Sequence, residues 1–471
     1  MDKFKPVNRA QSFLLPPSVE EFIKEDHLAR VVNEVVDNLD TAEMENRYSS
    51  LGQKSYHPKL LLKLLFYGYC IGMRSGRKIA AACEGDVAFM YLACMYRPDF
   101  RTINDFRKDN IGQVEKLFIE VVKLCSAMQM IKMGTLVIDS TKLRANASHR
   151  RTKTKEQYEQ WLSSIESQTK EILNQADGAD KEEEEKYGDK RGDELPDEIN
   201  TKSKLAKRIK EVITQLKEEE KQNFTDPDAK VMKGSDRFQT NYNCQTSCTT
   251  DGIIVSAYAS NAASDREQLI EIITQAQANT EKQCETILAD SGYASYENYQ
   301  QLHQLNKVIL IPDQEKQIET HKAATDPYHR THFKYDQEQD IFNCPEGKPL
   351  PLLRKFQNKR NKQKGKIYQC TACNVCNQKE QCTKGNFRQI HVENRMPLRQ
   401  TIRQLLDSPA GKKLYKLRQQ IIEPIFGHLK HNLKYTILSV RTLKKADAEW
   451  KLICLTHNIR QIWKAKCQLS Y

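Results

Sequence analysis

Two short apolar runs, each followed directly by an aspartate, limit the folds open to this chain more than any other feature. Residues 135–138 (TLVI) precede Asp139, and residues 286–289 (TILA) precede Asp290. Short runs rich in β-branched and apolar residues are typical of buried strands. In open α/β sheets, functional sites lie beyond the carboxyl ends of such strands. The two aspartates therefore predict a site at one edge of a sheet.

The chemistry of two neighbouring carboxylates favours a divalent metal. A buried ionised carboxylate needs a cation, a metal ion or a helix N-terminus beside it, because removing charge from water is costly. Asp139 and Asp290 on adjacent strands would repel each other unless a divalent ion lay between them. Two Mg²⁺ or Mn²⁺ ions would activate a water molecule or a 3′-hydroxyl for phosphodiester chemistry, which calls for a third carboxylate. The alternative is that each aspartate only caps a turn.

The segments around these aspartates predict a mixed sheet. Strands are predicted at 238–248 and 253–259, and the Asp251-Gly252 pair between them is a strong hairpin signal. Ser264 and Asp265 are predicted to cap a helix that runs to residue 275. The strand–helix–strand pattern over 286–311 implies a right-handed parallel crossover. The middle of the chain is therefore α/β.

Helical patterns lie on both sides of this region. Residues 1–130 are predicted to be all-helical, with Pro58 opening one helix. Their short helices and basic residues resemble a helix-turn-helix grouping, and a plain helical packing domain is the alternative. Residues 150–225 predict two amphipathic helices joined by a solvated acidic loop, which contains the glutamates at 182–185 and Gly188, Gly192 and Pro196. Residues 400–465 are predicted to be helical, with breaks at Pro409 and Pro424.

Charge and composition favour a polyanionic binding partner and argue against a segment that spans a membrane. Lys and Arg number 74 against 62 Asp and Glu, which gives a net charge of +12. The opening residues carry no secretory signal. The longest apolar run, 60–69, is interrupted by Lys63 and is too short to span a bilayer. We therefore expect a cytoplasmic protein with reduced cysteines.

A cysteine cluster predicts one structural Zn²⁺. Cys370, Cys373, Cys376 and Cys382 follow one another closely, and Cys344 lies upstream. Cys-x₂-Cys spacing lets two thiolates bind one tetrahedral ion. The preferred ligands are Cys344, Cys373, Cys376 and Cys382, with Cys370 as the spare. The segment has no predicted apolar core, so a metal would supply folding energy. The alternative is a set of reduced thiols in a β-rich insertion.

The same segment is strongly basic and is expected to hold DNA phosphates. Phosphate contacts give affinity that depends on salt and tolerates sequence changes, while a solvated linker is the alternative. The basic residues concerned are Arg354, Lys355, Lys359, Arg360, Lys362, Lys364 and Lys366. DNA binding is thus expected on this segment and on the N-terminal helices.

Three blocks of the sequence resemble the catalytic blocks of DDE transposases. They are VIDSTKLRANAS at 137–148, LADSGYAS at 288–295 and YKLRQQIIEPIFGHLKHN at 415–432. The likeness is to the IS1182 group among the IS4/IS5-like insertion-sequence transposases. SYHPKLLLKLLFYGY, RTINDFRKDN, TDPDAKVMK and TNYNCQ also resemble that group. The resemblance therefore extends from about Gln11 to Trp463, and only 150–222 stands apart.

The resemblance implies an RNase H-like catalytic core, in which two acids lie on strands and the third on a helix. Glu423 is the third acid by this likeness and would complete a site for two Mg²⁺ or Mn²⁺ ions with Asp139 and Asp290. The implied activity is DNA cleavage at terminal inverted repeats and strand transfer into target DNA. Because two transposon ends are paired, a homodimer on DNA is also implied. A nuclease without strand transfer, or a catalytically silent, zinc-containing DNA-binding protein, is the alternative.

The likeness also assigns DNA contacts near the third acid. In related transposases a Tyr, an Arg and a Lys flank the Glu, and the matching residues here are Tyr415, Arg418 and Lys430. The spacing from Arg418 to Glu423 is one residue longer than the commonest IS4 pattern. Lys430 follows Glu423 by two helical turns and shares its face, although a solvated surface lysine is the alternative. The histidines are expected to be surface or core residues rather than ligands; they are His428, His431 and His457.

These observations divide the chain into four parts. The predicted parts are a helical DNA-binding domain (1–130), the first part of the catalytic core (131–343) with its helical insertion (150–225), a basic Cys-rich insertion (344–395) and a helical C-terminal part of the core (396–471).

Overall fold

The computed structural model of the chain describes residues 18–48, 54–187, 197–217, 220–234, 237–357, 364–393 and 396–469. Of the residues discussed above, Gln11, Gly188, Gly192, Pro196, Lys359, Arg360 and Lys362 lie outside these ranges. No helix in the described ranges combines the length and the apolar character that crossing a bilayer requires.

The first part of the chain is helical, as predicted. Its helices are α1 (Leu28–Asp37), α2 (Ala42–Glu45), α3 (Pro58–Cys70), α4 (Gly76–Gly85), α5 (Val87–Leu92), α6 (Phe100–Asp109) and α7 (Val114–Ala127). Pro58 occupies the first turn of α3, where its missing N–H costs nothing, and the side chain of His57 accepts the N–H of Lys59. A helix-turn-helix role for this region remains a prediction.

Strand β1 is followed by a long helical pair. The elements in order are β1 (Thr135–Arg144), β2 (Thr152–Lys153), α8 (Lys155–Tyr187), α9 (Asp197–Gln215) and β3 (Gln222–Asn223). The two predicted helices are therefore present, and they share a small buried cluster that includes Tyr158, Ile209 and Phe224. The prediction that the acidic run at 182–185 lies in the loop was wrong, because α8 runs through it, and the rest of the predicted loop, 188–196, lies outside the described residues. Glutamate is a good helix former, so a run of it does not end a helix.

The sheet is completed by segments that alternate with helices. They are β4 (Lys230–Lys233), β5 (Phe238–Thr249), β6 (Ile254–Ser260), α10 (Leu269–Thr280), β7 (Thr286–Ala289), α11 (Tyr296–Gln304) and β8 (Val308–Leu310). The predicted hairpin between β5 and β6 is confirmed. Gly252 in its turn has φ +77°, a conformation that favours glycine.

These strands form one six-stranded mixed sheet. Strand β1 lies at its centre, antiparallel to β5 on one side and parallel to β7 on the other. Strand β8 continues the parallel side, while β4 and β6 both pair with β5. The predicted parallel crossover from β7 through α11 to β8 is thus confirmed.

The Cys-rich region is built from small sheets. Its elements are α12 (Gln314–Thr325), β9 (Lys334–Asp336), β10 (Ile341–Asn343), β11 (Pro349–Leu350), β12 (Leu352–Gln357), β13 (Lys364–Gln369), α13 (Lys379–Cys382) and β14 (Gln389–Glu393). Phe333, Leu350, Tyr368 and Ile390 are buried together there with two cysteines. The prediction that this segment lacks an apolar core was therefore wrong. The core residues come from separate short strands, so no single window of sequence shows a periodic pattern.

The C-terminal part contains α14 (Met396–Asp407), α15 (Pro409–Gly427) and α16 (Leu443–Leu469), with a π-helical turn (His428–Asn432) after α15. The predicted break at Pro409 is confirmed, since Ser408 caps a new helix there. The predicted break at Pro424 was wrong, because Pro424 lies inside α15. Its neighbours Ile422 and Ile425 are buried, and their packing offsets the one backbone hydrogen bond that a proline removes.

Helix α16 joins the N-terminal helices to the sheet in one core. It packs against α3 and α7 on one side and against β6 on the other. Trp450 is fully buried and donates its indole N–H to the Gln245 carbonyl at 3.0 Å. Asn458 exchanges two side-chain hydrogen bonds with the backbone of Ile254, at 2.9 and 2.8 Å. These bonds fix the strands around β1 against the C-terminal helix.

His457 on α16 is a core histidine whose burial makes the stability of the fold depend on pH. The ring Nε2 lies 3.0 Å from the Gly252 carbonyl, and burial lowers the pKa of His457 from 6.5 to about 4. The neutral form therefore stabilises the fold above pH 6.5, and this contribution is lost as the pH falls through 4. We expect about 3 kcal/mol less unfolding free energy across that window from this group. Denaturant unfolding of wild type and His457→Gln at pH 7 and pH 4 measures it. Equal losses in both proteins would contradict the prediction.

Candidate active site

The central strands bring Asp139 and Asp290 to neighbouring positions. Ile138 on β1 is paired with Ala289 on β7 in parallel register, and the residue that follows each of them in the chain is an aspartate. Asp290 directly follows the end of β7, as predicted. The prediction that Asp139 also ends its strand was wrong, because β1 continues to Arg144. Its antiparallel pairing with the long strand β5 carries it past the apolar run.

Asp139 is a largely buried carboxylate held by one cation. Its Oδ1 accepts the Ser140 N–H at 2.8 Å, and its Oδ2 accepts from Arg418 Nη1 at 3.0 Å. Both side chains are mostly shielded, with 15% of Asp139 and 14% of Arg418 exposed. Burial raises the pKa of Asp139 to about 6; Arg418 opposes this rise, and Asp290 adds to it. The site therefore penalises uncompensated negative charge.

Asp290 caps a turn and also lies at the position next to Asp139. Its Oδ1 accepts the Gly292 N–H at 2.9 Å, so it caps the turn that follows β7. Burial also raises its pKa, opposed by the Gly292 N–H and by Arg418. The alternative that Asp290 caps a turn is thus correct for its Oδ1 atom. Asp290 nevertheless lies next to Asp139, so the cap does not rule out a shared site.

Helix α15 supplies the cation from its inward face. Arg418 contacts Asp139, and the half-buried Tyr415 one turn earlier is hydrogen-bonded to Arg418. Ile422, Ile425 and Leu429 continue the buried stripe at helical spacing. Arg418 therefore lies at the site despite its unusual spacing in sequence.

Glu423 lies on the same helix, but its side chain is exposed. Within the described ranges, no hydrogen bond or ion pair joins Glu423 to either aspartate. Glu423 is turned outward because of its spacing from Arg418. The position four residues after Arg418, which shares the inward face of the helix, is taken by the fully buried Ile422. Glu423 is one residue further on and faces about 100° away. The convergence of all three acids remains a prediction.

Lys430 is placed near the site by the π-helical turn. Burial lowers the pKa of its ammonium group, while Cys244 and Asp139 oppose this shift. His428 and His431 are in the same turn, and His428 is half-buried. Lys430 is thus a half-buried cation in the electrostatic field of Asp139 rather than a solvated surface lysine.

Asp265, expected from the sequence only as a helix cap, lies near the site in a cluster of polar groups. Asp265 begins the turn before α10 as predicted, but its side chain makes no capping bond there. Its Oδ1 instead accepts from Asn243 Nδ2 at 2.6 Å, from Gln245 Nε2 at 2.7 Å and from Lys142 Nζ at 3.3 Å. Asn243 and Gln245 lie two apart on β5 and therefore share one face of the strand, and this pair of buried amides is the signal that points to the cluster.

The five cysteines of the small-sheet region line one cavity. Lys348 N–H donates to Cys344 Sγ and Arg388 N–H donates to Cys373 Sγ, each at 3.3 Å. Burial raises the pKa of the Cys370 thiol to about 11, with further contributions from Cys373 and Cys344. The other lining cysteines are Cys376 and Cys382. As the side chains stand, no group of three or more His, Cys, Asp or Glu in the described ranges is arranged around a metal position.

The basic residues of this region differ in their surroundings. Arg354 and Lys355 are exposed on β12, and Lys364 is exposed at the start of β13. Lys366 is paired with Asp340 at 2.8 Å and is therefore engaged within the fold.

Comparison with protein families places both flanks of the chain among transposases. Residues 343–463 match the family described as Transposase DDE domain, and residues 17–109 match the Transposase domain (DUF772). The first match contains the cysteine cluster, Arg418 and Glu423, while Asp139 and Asp290 lie between the two matches. No curated protein matches the sequence. The chain therefore carries two transposase domains, and this pair is typical of the IS1182 family of DDE transposases.

Proposed function

We propose that this protein cuts DNA at the ends of an insertion sequence and joins them to a target, using two divalent metal ions at Asp139, Asp290 and Glu423. The observation that carries the proposal is the pair of partly buried aspartates at matching positions of the adjacent parallel strands β1 and β7, with Arg418 of α15 paired to Asp139. Transposases act on DNA, and the net charge of +12 agrees with such a partner.

An RNase H-like core would suit this chemistry. The resemblance implies that the first two acids of such a core lie on strands. The sheet is antiparallel from β6 through β5 to β1 and parallel from β1 through β7 to β8. Asp139 lies on β1 and Asp290 directly follows β7, which supports the proposal that they are the first two acids.

The residues present fit a divalent cation. Asp139 and Asp290 offer hard oxygen ligands, which Mg²⁺ and Mn²⁺ prefer. Their raised pKa values show that added positive charge would be favourable there. The missing side chain of Gly292 keeps the surroundings of Asp290 clear, since a methyl group there would lie only 3.0 Å from Asp290 Oδ1. When bound, such ions activate the attacking oxygen and stabilise the leaving one.

Other residues of the chain orient the DNA in this proposal. Arg418 neutralises Asp139 before DNA arrives and then turns to a phosphate, while Tyr415 holds its guanidinium in place. Lys430 offers a second cation from the π-helical turn. A homodimer would present two such sites to paired ends.

Glu423 would join the site through a movement of α15. Pro424 and the π-helical turn make this stretch irregular, and such irregularities are where helices bend or change register. We infer that DNA held by Arg418 and Lys430 turns α15 and brings the exposed Glu423 towards Asp139 and Asp290.

DNA binding outside the active site is assigned to two surfaces. Arg77 and Lys78 are exposed at the start of α4 and line a cleft of the N-terminal helices, which would recognise the element's ends. Arg354 and Lys355 are exposed on β12 of the small-sheet region, where phosphate contacts need no particular sequence.

Neutralising the β12 pair gives a direct test. The double variant Arg354→Ala/Lys355→Ala should bind all DNA sequences roughly 10- to 100-fold more weakly near 0.1 M salt, with a salt slope smaller by about 2. Fluorescence anisotropy across a salt series measures both quantities. Lys123→Ala/Lys282→Ala, two exposed lysines elsewhere, serves as the control. An unchanged slope would show that β12 is only a solvated surface.

We also propose one structural Zn²⁺ in the cysteine cavity, with Cys344, Cys373, Cys376 and Cys382 as ligands and Cys370 as the spare. Five thiols around one cavity are a donor set suited to zinc and not to Mg²⁺. The backbone N–H groups already directed at two of the sulfurs would stabilise their thiolate forms. Side-chain rotation would be needed to gather four sulfurs around one ion.

A strand-transfer assay tests the proposed function. The full chain is mixed with Mg²⁺, DNA carrying the inverted repeats that flank its gene, and a plasmid target. We expect both cut ends and joined products. Cut ends without joined products would indicate a nuclease, and neither product despite tight DNA binding would indicate a catalytically silent DNA-binding protein.

A further inference from the structure

We propose that Asp265 is a further metal-binding carboxylate of this site, beside Asp139 and Asp290. The inference rests on the proposed function, because it adds a ligand to the same metal centre. It concerns a residue that sequence analysis assigned only to a helix cap.

The position of Asp265 Oδ2 is the first observation. A methyl group placed on Gly292 would lie 3.4 Å from Asp265 Oδ2 and 3.0 and 3.5 Å from the two oxygens of Asp290. One small gap is therefore bordered by both carboxylates. Asp265 also adds to the electrostatic repulsion on Asp139 and Asp290. Asp265 and Asp290, from different segments, thus border the same gap, and Asp139 is near enough for its charge to be affected by Asp265.

The second observation is how firmly Asp265 is held. Its Oδ1 takes the amide hydrogens of Asn243 and Gln245, both fully buried on β5. Tyr293 donates its hydroxyl to Gln245 Oε1 at 2.5 Å, so the other end of that amide, Nε2, is turned to Asp265. A carboxylate with one oxygen fixed by two buried donors has its second oxygen oriented for a ligand.

A third observation points to a missing partner. The Asn243 Oδ1 atom is buried and has no hydrogen-bond partner within the described part of the chain. Asn243 itself is fully buried, and its other amide atom contacts Asp265. A buried oxygen without a partner is unusual, because it loses its bond to water. A hydrated cation beside Asp265 would supply that partner.

Lys142 is the cation that the metal would replace. Its ammonium lies 3.3 and 3.4 Å from the two Asp265 oxygens and also lowers the pKa of Asp290. Its side chain is only 19% exposed, and that of Asp265 is 15% exposed. The long, flexible lysine side chain can withdraw once a divalent ion balances the charge.

Asparagine at position 265 separates this role from a structural one. In Asp265→Asn the amide oxygen can still accept from Asn243 and Gln245, while the oxygen facing the gap becomes an NH₂ that cannot bind a metal. We expect Mn²⁺ to bind the full chain about 10- to 100-fold more weakly, measured by isothermal titration calorimetry without DNA. Asp447→Asn is the matched control, since it also loses a lysine ion pair but lies outside the cluster.

A second variant covers the case in which Asp265→Asn destabilises the fold. Asp265→Asn/Lys142→Met removes both members of the ion pair and leaves no unpaired buried lysine. Lys142→Met alone should bind Mn²⁺ as well as wild type or more tightly. Loss of affinity in the double variant would then be due to Asp265.

The outcomes distinguish this inference from the proposed function. Weak Mn²⁺ binding by the Asp265 variants, with melting temperatures near wild type, supports it. Wild-type affinity in these variants, together with lost affinity in Asp139→Asn, overturns the role of Asp265 and leaves the proposed site intact. Wild-type affinity in Asp139→Asn and Asp290→Asn would overturn the metal site as a whole.

Discussion

Replacing Asp139 by asparagine is expected to lower the rate of DNA-end cleavage at least about 1000-fold, equivalent to ~4 kcal/mol of transition-state stabilisation. The amide keeps the shape of the carboxyl group and its acceptor for the Ser140 N–H, but it cannot balance a divalent cation. Single-turnover cleavage of labelled end DNA in Mg²⁺ measures the effect. Asp290→Asn should show a loss of similar size.

The control for this prediction is Asp251→Asn in the β5–β6 turn, whose carboxylate pairs with Lys132 away from the site. It should cleave at the wild-type rate. Circular dichroism and DNA affinity establish that Asp139→Asn is folded and still binds its substrate. A folded Asp139→Asn protein that retains more than a tenth of the wild-type rate would contradict the assignment.

Removing zinc ligands should have the largest effect on stability. Structural zinc contributes roughly 10 kcal/mol or more to folding in small zinc domains. We expect Cys344→Ser/Cys373→Ser to reduce bound zinc from one equivalent to almost none and to expose the region around β9–β14 to proteases. The buried cluster of Phe333, Leu350 and Ile390 is small and would not hold these strands alone.

Zinc content by plasma mass spectrometry and limited proteolysis together test this expectation. Cys94→Ser, an exposed cysteine outside the cavity, is the control and should retain the zinc. DNA cleavage should fall less than in Asp139→Asn, because the thiols are not among the acids of the active site. Wild-type protein with far less than one equivalent of zinc and five freely titrating thiols would rule out the metal.

The sequence was sufficient for much of the framework around the site. The apolar run before Asp290, the glycine turn between β5 and β6 and the proline at the start of α3 are local signals. Each signal depends on neighbouring residues alone, so each can be recognised in the sequence without a structure. The pairing of Ile138 with Ala289 then follows from the parallel crossover.

What the sequence did not predict depends on contacts between distant residues. The extension of β1 beyond Asp139 comes from pairing with β5, about a hundred residues later. The turn of Asp265 away from its helix is set by Asn243 and Gln245. Helical spacing does indicate that Ile422, not Glu423, shares the face of Arg418. The expectation that Glu423 joins the two aspartates, however, comes from the family resemblance and not from helical spacing.

A crystal of the metal-soaked protein tests the central claim most directly. Crystals soaked in Mn²⁺ should show an anomalous peak within about 2.1 Å of carboxylate oxygens of both Asp139 and Asp290, with Arg418 displaced from Asp139. An additional contact to Asp265 Oδ2 would extend the site as inferred. The account would be contradicted if no peak lay between the two aspartates and Arg418 were still paired with Asp139, while Mn²⁺ was fully occupied at another position in the same crystal.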